Sequence, residues 1–216
     1  MIRAKLNLNM DMIKSSVRGY SNSTNLFYEA SYDLIKNKIF WNDFNQNWTE
    51  KLALVYSWMP RIAGKDFRLQ IDKGEYFEAC IQRNCEKEAL DSGFNLNRGI
   101  RLVDFVEKNI WESLEVAYDF VSKVSGQVGT SKILHFSFPS LCLMWDNNQI
   151  KWLYNVNSRK TVSGENYIEY HNRAKKNLNE AKDKDLIIQN YGNKFPRILD
   201  KCIWYKLKRE RKYDST

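Results

Sequence analysis

The sequence predicts an all-α fold, and three observations carry that prediction. Apolar residues recur three or four positions apart through most of the 216-residue chain, the spacing of one helical face. Only three prolines and nine glycines punctuate it. The one stretch that alternates like a strand is short, KDFRLQI at residues 65–71. With 43% hydrophobic and 14% aromatic residues, the chain can bury a substantial core. We read 1–216 as a single mainly helical domain, with two small lobes as the alternative.

The elements follow in order. After a polar start rich in Asn and Ser, a helix is predicted from about Thr24 to Lys38, with Leu26, Phe27, Ala30, Leu34 and Ile35 on its apolar face. A second begins at Asn47 or Thr49, carries Leu52, Val55, Tyr56 and Met59, and stops at Pro60 and Gly64. A third occupies 72–91, through Tyr76, Phe77, Cys80, Ile81 and Cys85, and DSGFNLNRG is a loop. The longest pattern runs from Ile100 to about Ser125, with Leu102, Val106, Ile110, Leu114, Ala117, Tyr118 and Val121 in register. A hairpin follows, then a polar loop at 155–164 and two helices near 165–190 and 196–211.

Charge and cysteines narrow the function classes. The net charge of +8 favours a polyanionic partner. Lys201, Lys206, Lys208, Arg209, Arg211 and Lys212 crowd the C-terminus, and Arg173, Lys175 and Lys176 form a second cluster. Cations are also welcome at a helix C-terminus, so the first cluster reads equally as a solvated helix end. No stretch approaches the run of about twenty apolar residues of a membrane span, and the N-terminus lacks the apolar core of a signal peptide. A soluble, cytoplasmic protein with no membrane partner is expected. Cys80, Cys85, Cys142 and Cys202 are too few and scattered for a disulfide scaffold and are expected to be reduced and mostly buried.

Residues 128–146, VGTSKILHFSFPSLCLMWD, carry the most specific signal. A Gly129-Thr130-Ser131 turn opens an apolar helical run, Pro139 ends it, and Asp146 follows directly on Trp145. A carboxylate after five apolar residues must find a partner, start a helix or do chemistry. Helix, glycine turn, helix and an extended step into Asp resembles the helix-hairpin-helix DNA glycosylases, over an element of about 110–146. On that resemblance Gly129 matches the second glycine of the family's turn, and Ser131 the position that holds Lys in its bifunctional members. Gln127 stands where the first turn glycine falls. The fifteen residues from Ser131 to Asp146 are fewer than the family usually shows. The chain also looks like a group of microbial proteins sharing SK-LH---P-L---WD, which ILDKCIWYK near the end fits as well.

The resemblance implies double-stranded DNA as partner, with Gln127, Gly129, Thr130, Ser131 and Lys132 at the phosphates. It also implies Asp146 as the catalytic carboxylate of a monofunctional glycosylase and Trp145, Trp152 or His135 at a flipped base. Each residue has a plainer reading. Thr130 or Ser131 caps a buried helix, Asp146 caps the helix holding Ile150, Trp152 and Leu153, and His135 is a core residue. The rival function keeps the fold without the chemistry, as a DNA-binding or protein-interaction module. Neither His135 nor His171 has ligands at metal spacing, and no phosphate-loop or dinucleotide motif is present, so no metal or cofactor is expected.

Overall fold

The computed structural model describes residues 6–24, 26–38, 54–55, 96, 99–154 and 162–213. Among these, 75% are helical and none forms a strand, in agreement with the predicted class. The helices are α1 (Met10–Ser21), α2 (Leu26–Lys38), α3 (Lys108–Ser137), α4 (Asn147–Tyr154), α5 (Gly164–Asn179), α6 (Lys184–Tyr191) and α7 (Phe195–Tyr213). A 3-10 turn, Gly192–Lys194, joins α6 to α7. Of the second predicted helix only Leu54 and Val55 are described, both helical. The predicted extended piece at 65–71, the helix at 72–91 and most of the loop after it lie outside the described residues.

The first helix is one that the polar start conceals. Asn9 accepts the Met12 N–H at 2.8 Å as N-cap, and Met10, Ile13 and Tyr20 are buried at helical spacing. Serines and charges between them dilute the pattern. The apolar face packs along α7, and a β-carbon at Gly19 would collide with the Tyr205 ring, so the small residue permits the close approach.

α2 begins near its predicted start, and of its predicted apolar face Ile35 is buried while Ala30 and Leu34 are exposed. Tyr32 and Ile35 are buried, whereas Leu34 is 55% exposed. The pattern predicted from Ile100 is helical only from Lys108. Before that, Leu102, Val103 and Val106 are buried from an irregular segment that Leu102 anchors by donating its N–H to the Ser140 carbonyl at 2.9 Å. The single helix predicted at 165–190 is two, α5 and α6. The break at 180–183 places Asp183 where its carboxylate accepts the Met10 N–H at 3.1 Å.

These elements bury one contiguous apolar cluster running from Leu6 to Ile203. Trp145 is at its centre, fully buried, stacked on Tyr170 and edge-on to Tyr118 and Tyr167. No helix among the described residues is long and apolar enough to cross a membrane.

Candidate functional site

The 110–146 stretch contains one helix with a kink, and the kink falls three residues before the turn expected at Gly129. α3 is interrupted at Gly126, whose φ of 66° and ψ of 173° occupy a region essentially open to glycine only. Gly129, expected to make the turn, is helical and buried. Thr130 donates its hydroxyl to the Gly126 carbonyl at 2.6 Å and pairs with the Ser125 hydroxyl at 2.8 Å, locking the two halves of the helix across the kink. Gly126 is exposed, a β-carbon there would meet nothing within 4 Å, and exposed Lys123 lies one turn before it. Gln127 is half-buried, with its carbonyl accepting from Tyr118 Oη and Trp145 Nε1, each at 3.3 Å.

The second half of α3 ends as predicted before Pro139, and the chain then runs without regular secondary structure through Cys142, Leu143, Met144 and Trp145, all buried. An irregular buried segment must still satisfy its backbone polar groups. Here side chains do it. Ser131 Oγ accepts the Trp145 N–H at 3.2 Å, and its own proton lies between the Trp145 and Val128 carbonyls. Tyr167 donates to the Leu143 carbonyl at 2.6 Å and Tyr170 to that of Met144 at 3.3 Å.

Two histidines complete the set. His135 Nδ1 donates to the Cys142 carbonyl at 2.6 Å, which makes Nε2 the acceptor of the Tyr32 hydroxyl at 2.7 Å. His171 Nδ1 donates to the Tyr167 carbonyl at 2.7 Å, and its Nε2 accepts the Leu143 N–H at 2.9 Å. Burial holds both rings neutral, pushing His135 down to about 3 and His171 to about 4.

This arrangement places several of the expected site residues in the core. Thr130, Ser131, His135 and Trp145 are fully buried and Lys132 nearly so, so none of these side chains lies at a surface where a duplex or a flipped base would meet it. Lys132 instead faces the charges of Asp200 and Asp146, with burial pushing its ammonium down from its usual 10.5. The Trp152 side chain lies outside the described residues. His171, within the helix predicted near 165–190, is a core residue. Tyr167, Tyr170, His171, Ala174 and Leu178 do fall at helical spacing, which is the signal that could have found it.

Asp146 is the N-cap of α4. Its Oδ1 accepts the N–H groups of Asn148 and Gln149, each at 2.8 Å. Gln149 reaches back with Oε1 to the Asp146 N–H at 3.1 Å, closing a reciprocal capping box. Gln149 Nε2 donates to Asp200 Oδ1 at 2.9 Å, tying the cap to α7. Asp146 remains half-exposed.

The basic clusters are partly engaged within the fold. Arg173 pairs with Glu169, Lys175 reaches the Asp104 carbonyl, and Lys208 lies over the Trp204 ring at 5.0 Å. Lys176 and Arg209 are exposed. The side chains of Arg211 and Lys212 lie outside the described residues. Cys142 and Cys202 are buried free thiols, and no group of three or more His, Cys, Asp or Glu among the described residues could hold a metal.

Sequence reasoning missed an ionic cluster where α2 meets α7. Arg197, 6% exposed, pairs with Glu29 at 2.6 Å and with Asp200, donates to Tyr20 Oη at 3.1 Å, and stands 4.5 Å over the Tyr32 ring. Lys201 holds the other oxygen of Glu29 at 2.5 Å. The chain matches no protein-family model, no curated protein and no solved structure.

Proposed function

We propose that this chain binds double-stranded DNA through the exposed kink at Gly126. The observation that supports the reading is the order of parts on one continuous stretch: helix, positive-φ glycine, short helix, irregular segment, and an Asp capping the next helix. The helix half that follows Gly126 turns its N-terminal end towards the exposed kink, and the helix dipole favours an anion there. A phosphate oxygen fits that chemistry, and Lys123 adds a cation beside it. Such a contact positions a duplex without reading its sequence. The contact surface is thereby moved from Gly129, Thr130 and Ser131 to Gly126, Gln127 and Val128.

The test is binding of a labelled duplex at rising salt. Affinity should fall steeply, since each neutralised phosphate releases counterion. Lys123→Ala should weaken binding without altering the melting temperature, and Gly126→Ala should weaken it with some loss of stability. Undetectable binding at low salt would overturn the reading.

A second reading, excision of a modified base, is favoured by one feature: Asp146 is fixed by its cap yet half-exposed. A carboxylate held this way could stabilise positive charge on a sugar as the base departs. Duplexes carrying deaminated, oxidised and alkylated bases would be incubated with the wild type and with Asp146→Asn. Base release by the wild type that falls by orders of magnitude in the variant, with duplex binding intact, supports excision. Silence of the wild type across the panel removes it.

A further inference from the structure

A cavity of about 220 Å³ opens between α2, the Pro139 turn and the start of α7. α2 lines it with Glu29, Tyr32, Asp33 and Lys36. Across from them stand Lys194, Arg197, Ile198 and Lys201. Both sets follow the i, i+3, i+4, i+7 spacing of one helical face, which in a folding core is apolar. Six of these eight residues are charged. Two facing helical stripes have therefore kept their charges against a space that apolar side chains would fill.

The charges within it already describe an anion seat. Glu29 sets one oxygen on Arg197 and the other on Lys201, spanning the two cations as a free oxyanion would. Lys36 and Lys194 add two more cations nearby, against the single carboxylate of Asp33. Four cations and two carboxylates line the cavity, and Asp200 meets Arg197 as a third acid outside the lining, so positive charge remains in surplus. Tyr32 contributes a fixed wall, because its hydroxyl proton is given to His135. We propose that this cavity binds a small phosphate-type oxyanion on Lys36, Lys194, Arg197 and Lys201, in competition with the Glu29 carboxylate.

The assignment is independent of the DNA reading and carries an unusual sign: removing an acidic residue strengthens binding. The full chain is titrated with inorganic phosphate by calorimetry, against chloride at equal ionic strength. Saturable binding is expected for phosphate alone. Glu29→Gln, which removes the competing carboxylate from Lys201 and leaves Arg197 paired with Asp200, should tighten it by about tenfold, and Lys36→Ala with Lys194→Ala should weaken it by at least about as much. Lys194 is exposed, so Lys194→Ala alone keeps the question answerable if Glu29→Gln does not fold. No saturable binding, an equal response to chloride or acetate, or unchanged affinity in a folded Glu29→Gln protein would each overturn the proposal. If duplex DNA displaces the phosphate and Lys194→Ala weakens both equally, the cavity serves the DNA backbone and the small-ligand assignment falls.

Discussion

The polar residues around the 142–146 segment and those around Arg197 meet at the Tyr32–His135 hydrogen bond, yet they are built on opposite principles. The first set is neutral: Ser131, Tyr167, Tyr170 and two uncharged histidines each hydrogen-bond a backbone group that is buried away from water. The second is ionic, with Glu29, Arg197, Asp200 and Lys201 in mutual contact beside a cavity. Desolvating ions is costly even when they are paired, whereas a neutral donor facing a carbonyl is not. The neutral set therefore belongs to folding, and the ionic set carries more charge than folding requires.

The sharpest way to break that contrast is His135→Ala. It opens a cavity, removes the donor to the Cys142 carbonyl and strands the Tyr32 hydroxyl in the core. Losses of these kinds together cost on the order of 3 kcal/mol or more. Lys201→Ala, in a partly exposed pair, should cost about 1 kcal/mol or less. Urea unfolding of the two variants checks the difference. Equal losses would mean that the neutral set is no more structural than the ionic one.

Acid separates the two regions by pH window. His135 and His171 are depressed in the fold from about 6.5, so an unfolded chain takes up protons that the folded chain refuses. Their contribution is complete above about pH 6.5 and is lost as pH falls, down to about 4 for His171 and about 3 for His135, at up to about 1.4 kcal/mol per histidine per pH unit. Glu29 enters later. Burial raises its carboxyl, but the hydrogen bond from Lys201 and the Arg197 charge outweigh that and hold it below its usual 4.5. Its contribution is present above that value and is lost only as pH falls further. Stability measured from pH 7 to 3 should therefore decline first through the histidines. A flat profile between pH 6.5 and 5 would show that the rings are not held neutral.

How much of this was legible follows from the same physics. Helical spacing gave α2, the second half of α3 and α7 close to their observed bounds, because burial imposes the period directly. It failed at α1, where a short apolar face is diluted by serines, and at 100–107, where buried residues keep the spacing without the helix. The kink was misplaced because a Gly-Thr-Ser run resembles a cap, whereas only the backbone shows that Gly126 takes the positive φ. Asp146 was legible as a cap, since Gln149 stands three residues on as a capping box requires. The Arg197 cluster joins residues more than 160 positions apart, so no local pattern announces it.

The smallest effects fall at Asp146, which links the end of the neutral segment to the ionic region through Gln149 and Asp200. Asp146→Ala removes the acceptor of two N–H groups at the start of α4 and should cost about 1 kcal/mol, the usual worth of an N-cap. Asp146→Asn keeps an oxygen in the same place, and Asn caps as well as Asp, so its melting temperature should stay close to that of the wild type. Gln149→Ala should cost more than a simple cap, because it also removes the donor to Asp200 beside Arg197. Melting curves of the three variants give the order Gln149→Ala, Asp146→Ala, Asp146→Asn from the least stable upward. If Asp146→Asn were instead the most destabilised, the negative charge itself would be structural, acting on nearby Lys132, and the boundary residue would belong with the ionic set.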